Sequence, residues 1–82
     1  MELKDTISGM ISADYKERFK AEYTQTTIRF NKLCDLCERY ENDQLDFSPD
    51  CPLDILQHQL CCMTEYLAVL EERAEIEGID LE

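Results

Sequence analysis

The sequence predicts an all-α fold: an antiparallel two-helix hairpin with a short N-terminal element, coiled-coil-like packing, and more than one copy in the assembly. Three observations predict it. Apolar residues recur at helical spacing over two long segments, a short stretch rich in turn formers separates them, and the second segment carries two apolar stripes where one neighbouring helix needs only one.

Residues 1–11 form the N-terminal element. Leu3, Ile7, Met10 and Ile11 keep a helical period, but Gly9 weakens continuation, so a separate turn or short helix is expected. The first long helix is predicted over 12–40. Tyr15, Phe19, Glu22, Thr26, Phe30, Leu33, Cys37 and Tyr40 step by fours and threes, with Glu22 and Thr26 breaking an otherwise apolar or aromatic row. Ser12 suits the N-cap, and Asp14 and Glu17 place acid in the first turns. At ~1.5 Å per residue this helix is about 40 Å long.

Residues 41–51 are the connector, in which Leu45 and Phe47 are expected to fold back as a plug. The second helix is predicted over 52–77. Pro52 fits its first turn with Asp50 or Cys51 as cap, and Asp54 lies just inside. Gly78 stops it as a C′ glycine, and Ile79 supplies the hydrophobic contact that accompanies such an ending. So short a connector makes the helices antiparallel neighbours, and residues 12–82 form one helical hairpin.

The second helix separates into three faces. Leu53, Leu56, Leu60, Met63, Leu67, Leu70 and Ala74 alternate threes and fours, and this seam is expected to be dry against the first helix. About 100° around lies a mixed seam of Ile55, Gln59, Cys62, Tyr66, Val69, Arg73 and Ile76. The remaining face, Asp54, His58, Cys61, Glu65, Ala68, Glu72 and Glu75, is mostly acidic and suits solvent. One neighbouring helix cannot satisfy two seams. Ile55, Cys62, Tyr66, Val69 and Ile76 are therefore expected to form a homo-oligomer interface, the alternative being that the N-terminal segment covers them within one chain.

Eighty-two residues bury a modest core, so a partner or staple is expected. The opening MELKDTISGM is charged and lacks an apolar centre, and no apolar run approaches the ~18 residues of a membrane span. A cytoplasmic chain without a membrane partner is expected. Five cysteines without a secretory leader are expected as reduced thiols. Nineteen acids against eight bases give a net charge of -11, which disfavours direct nucleic-acid binding. The acid either keeps a small oligomer soluble or imitates nucleic acid.

No residue pattern points to catalysis, and neither enzymatic activity nor a cofactor is expected. His58 has no nucleophile or acid at a suitable spacing, and Cys61 and Cys62 have no nearby positive charge to lower a thiol pKa. Cys34 and Cys37 with His58 and Cys61 have the ligand types for zinc, yet such pairs usually sit in turns and Cys37 already fills a seam position, so no metal is expected. The basic and polar residues are more informative. Arg18, Arg29 and Lys32 recur along one side of the first helix, and Gln59, Tyr66 and Arg73 lie in the mixed seam of the second. Facing a common cleft between chains, they would offer guanidinium forks for phosphate, an amide for a base edge and a phenol for stacking. Alternatively Arg18, Arg29 and Arg73 pair with Glu22 and the other plentiful acids.

Two stretches, DYKERFKAEYTQTTIRFNKL and LQHQLCCMTEYLAVLEER, resemble a family of small helical proteins encoded by tailed phages and prophages, with the pattern DYxxRxxxE, a Lys or Arg and KL, then QxxxMxxYxxVLxxR. The matching positions are Asp14, Tyr15, Arg18, Glu22, Arg29, Lys32, Leu33, Gln59, Met63, Tyr66, Val69, Leu70 and Arg73. The connector LDFSPDCP is longer than in shorter members. The resemblance implies a phage accessory protein in the host bacterial cytoplasm, such as one for counter-defence. Two inhibitor classes fit that role. One is an oligomeric sponge that sequesters a nucleotide immune signal. The other is an acidic, anti-CRISPR-like inhibitor that binds a host defence protein such as a nuclease. Charge favours the mimic, whereas the basic residues and mixed seam favour the sponge, because a mimic needs no basic cleft. A structural or regulatory phage protein that pairs helices with a partner is a third class.

Overall fold

The computed structural model describes residues 1–82 and is all-helical, with three α-helices and no strand. A 3₁₀ turn, Leu3–Thr6, runs into α1, Ile7–Met10; α2 spans Tyr15–Glu41 and α3 spans Leu53–Glu77. No helix is long and apolar enough to cross a membrane.

The start of α2 differs from expectation. Asp14, not Ser12, is the N-cap: its backbone is extended and its carboxylate accepts the Lys16 N–H at 3.0 Å. Ser12 acts one step earlier, its hydroxyl oxygen accepting the Asp14 N–H at 3.1 Å. An acid at this position also meets the positive end of the helix dipole, an advantage a neutral serine lacks. For α3 the cap is Pro52 itself, with φ -61° and ψ 149°, rather than Asp50 or Cys51, and it makes no side-chain cap bond. At the other end Gly78 is left-handed at φ 70° and the Ile79 N–H donates to the Ala74 carbonyl at 2.8 Å, closing the last turn. That bond folds Ile79 back under the helix, where it is buried.

Cross-helix hydrogen bonds show how α2 and α3 lie together. The Tyr15 hydroxyl donates to Glu77, joining the first residue of α2 to the last of α3, while Tyr23 donates to Glu71 and Tyr66 to Glu22 further along both helices, so the helices are antiparallel. The core sits at the end away from the connector, where Phe19, Leu70, Ala74 and Ile79 cluster under Tyr23 and Leu81. Leu53, Leu56, Leu60, Met63 and Leu67 are only half-buried, so the first seam of α3 is not dry along its whole length. A body of 43 × 24 × 19 Å explains this: a pair of helices with one short flanking segment has too little thickness to enclose both ends. The expected plug is also incomplete, with Leu45 half-buried and Phe47 exposed.

The 3₁₀ turn and α1 pack on α2, and no Cα of theirs comes within 8 Å of one in α3, although the Leu3 and Met10 side chains reach the edges of the grooves that α3 shares. Gly9 makes this possible, since a Cβ there would stand 2.9 Å from the Ala21 Cβ; the glycine that weakens the helical pattern is what lets the segment lie close. The segment therefore leaves the mixed seam open. Every member of that seam is exposed, with Ile76 at 76%, Ile55 at 53% and Val69 at 52%.

Candidate functional site

The six basic and polar residues singled out in the sequence fall into two open grooves on the α2–α3 face, not one. The larger, about 570 Å³, gathers Arg18, Tyr66 and Arg73 around Phe19 and Glu22, with Met10 of the N-terminal segment on its rim. The smaller, about 330 Å³, gathers Arg29, Lys32 and Gln59 over Leu33, Leu36 and Met63, with Leu3 beside them. Axial rise accounts for the division: Gln59 and Arg73 are separated by fourteen residues of α3, about 21 Å, so they cannot share one pocket on a single chain.

In the larger groove Arg73 is held on two sides. Its guanidinium carbon lies 4.7 Å from the centre of the Phe19 ring, and its Nε donates to Glu77 at 3.1 Å. Glu77 in turn accepts the Tyr15 hydroxyl at 2.9 Å. Those hydrogen bonds, first from Tyr15 and then from Arg73, hold the Glu77 carboxyl below the ordinary carboxylate range, and the same bond to Glu77 pushes the Tyr15 phenol up. Arg18 donates to the Ser12 carbonyl at 2.7 Å, a neutral partner that leaves its charge uncompensated. Across the groove Tyr66 donates to Glu22. The residue that broke the apolar row of α2 thus orients the phenol of α3; its place inside that row was the available signal.

The smaller groove contains no carboxylate in its lining. The chain's ion pairs are Lys4–Glu2, Lys20–Glu17, Arg39–Asp35 and Arg73–Glu77. Arg18, Arg29 and Lys32 therefore have no acid within 4.0 Å, although the chain carries nineteen. Of the pairings the sequence allowed for Arg18, Arg29 and Arg73, only that of Arg73 forms, and its partner is Glu77 rather than Glu22. Two free cations, an amide and an apolar floor can hold an anionic group with an apolar portion attached.

Cys34, Cys37, His58 and Cys61 do not come together as a metal-holding group. Cys37 is buried, and burial pushes its thiol up, while Cys61 and Cys62 are exposed on α3. Of the expected interface residues, Ile55, Cys62, Val69 and Ile76 lie in an exposed row on α3, and Tyr66 stands in that row and in the larger groove.

Fold and site together define a small all-α protein of two packed long helices with open, cation-bearing grooves between them. The chain belongs to the Sequestin family, whose model matches residues 13–76 and so takes in nearly all of α2 and α3 while leaving the N-terminal segment outside. No curated protein and no solved structure matches it.

Proposed function

We propose that the protein is a non-enzymatic, phage-encoded inhibitor of host immunity, a hairpin-built oligomeric sponge that sequesters a nucleotide signal in the host bacterial cytoplasm. The observation that carries this reading is the set of unpaired cations. In a chain with net charge -11, four of the eight basic residues have no ion-pair partner, and three of those four, Arg18, Arg29 and Lys32, line the grooves, Lys16 alone lying outside them. Phosphates would fill that deficit with charge-assisted hydrogen bonds, while Phe19 and Tyr66 offer aromatic surface to a base. The Sequestin name, denoting sequestration, supports the same reading. A sponge needs binding without turnover, and the grooves contain no nucleophile paired with a base.

The test is to purify the protein from infected cells in which immune signalling is active, denature it, and analyse the released small molecules. A nucleotide is expected in the supernatant, and Arg73→Ala or Arg29→Ala should abolish its release. If no nucleotide is recovered from any defence system tried, a second reading takes over, that of an acidic inhibitor which occupies the nucleic-acid channel of a defence nuclease. One observation favours that reading: Asp54, Glu65, Glu72 and Glu75 stand in a row on an exposed face of α3.

A further inference from the structure

The mixed seam of α3 has an order of its own. From Ile55 to Ile76 it runs aliphatic, polar, thiol, aromatic, aliphatic, polar, aliphatic, and it has nearly the same chemical character in reverse, with Tyr66 at the centre. Ile55 matches Ile76, Gln59 matches Arg73 and Cys62 matches Val69. A two-fold interface requires a patch complementary to itself under reversal, and an exposed palindromic row meets that condition.

We infer that a second copy of this chain docks antiparallel on the seam with its two-fold axis at Tyr66, setting the larger groove of one protomer against the smaller groove of the other. Charge selects this direction. The seam itself contains no acid in a chain of net charge -11, and the Glu22 carboxylate beside it accepts the Tyr66 hydroxyl. Parallel pairing would place Arg73 against Arg73; antiparallel pairing places it against the partner's Gln59, whose amide oxygen accepts from a guanidinium. The cross-helix level is consistent. Arg18 lines the groove with Arg73, and Arg29 and Lys32 line the other with Gln59, so reversal about Tyr66 brings the two sets to one height. Each joint site then holds Arg18, Tyr66 and Arg73 from one chain and Arg29, Lys32 and Gln59 from the other. The six residues that one chain spreads over two grooves become one site, present twice per dimer, and the exposed isoleucines and Val69 close its apolar margins.

The shared-site part rests on the sponge reading, whereas the register does not, and two measurements separate them. The first uses full-length chains carrying Cys34→Ser, Cys51→Ser, Cys61→Ser and Cys62→Ala, which leave only the buried Cys37 of the native thiols. One preparation adds Gln59→Cys, a second Arg73→Cys; the two are co-refolded, oxidised and weighed intact. A crosslink between the two variants is expected in the mixture, with neither preparation crosslinking alone, because residue 59 lies about 21 Å from its own symmetry mate and a disulfide needs Cα atoms within ~7 Å. Absence of the mixed crosslink, or equal crosslinking of either variant alone, overturns the register. The second measurement titrates a fluorescent nucleoside diphosphate, mant-ADP, into an equimolar co-refolded mixture of Arg18→Ala/Arg73→Ala and Arg29→Ala/Lys32→Ala chains, each inactive alone. Half the dimers are mixed and each has one intact site of two, so recovery of about one quarter of wild-type sites is expected. Binding by the wild type with no recovery in the mixture overturns the shared site. A crosslink in the expected register with no nucleotide binding by the wild type overturns the sponge and the shared site and leaves the interface standing.

Discussion

Leu70→Ala tests where this small protein keeps its stability. Leu70 is the most deeply buried side chain, 1% exposed, and it touches the cluster of Phe19, Ala74 and Ile79 that closes the end away from the connector. Truncation removes three carbons, at ~0.8 kcal/mol per buried methylene a transfer loss of about 2.4 kcal/mol. The residual cavity raises this toward 3–5 kcal/mol, roughly the span measured for buried leucines elsewhere. A chain of this length has a total of about 4–12 kcal/mol, so the variant loses from about a quarter of its stability to all of it. In thermal terms, ~3 kcal/mol lowers Tm by about 12–24 °C in a domain this small. The assay is urea unfolding followed by far-ultraviolet circular dichroism at one fixed protein concentration, since association would otherwise shift the midpoint. Glu72→Ala, on the exposed acidic face, is the control and should stay within ~0.5 kcal/mol of wild type. If Leu70→Ala lost less than about 1 kcal/mol, the placement of the core at this end would be refuted.

Three further outcomes are expected. Val69→Glu puts a charge into the open seam and should reduce the light-scattering mass toward that of the 9.6 kDa single chain; a wild-type mass already at that value would remove the two-seam argument. Gly78→Ala should cost about 1 kcal/mol by urea unfolding, entirely from the left-handed backbone, because a Cβ there meets nothing within 4 Å. Glu77 has a folded-state pKa below its unfolded value, so its contribution is fully present above the ordinary carboxylate pKa and is lost as pH falls through the folded value. In Glu77→Gln the acid-side decline in urea midpoint should accordingly be shallower than in wild type; an identical decline would mean that the Tyr15 and Arg73 bonds do not act on stability.

Much of the local structure was legible because it depends on periods and caps within one helix. The three faces of α3 follow from its own repeat: every residue of the mixed seam and of the acidic face is exposed, while the leucine seam holds every covered position except Glu77 at the helix end. The Gly78 ending and the inward turn of Ile79 were equally local. What the period could not supply was where the helices meet along their length. Ser12 and Asp14 both suit a cap, and the choice went to the residue whose carboxylate reaches the Lys16 N–H.

The pairing of charges was undecidable from the sequence for the same reason. Nineteen acids gave each arginine several candidate partners. Only the antiparallel register put Tyr66 on Glu22 and left Arg18, Arg29 and Lys32 without acids. The division into two grooves was calculable from the rise of α3, yet it acquires meaning only once α2 supplies the opposite wall. By itself the sequence determined the two long helices, the Gly78 ending and the face each residue of α3 occupies, because these are set by backbone geometry within a few residues. The tertiary structure alone decided which end is dry, which cations are free and which residues share a groove, because these depend on how two helices slide past each other, a degree of freedom that no single-helix period constrains.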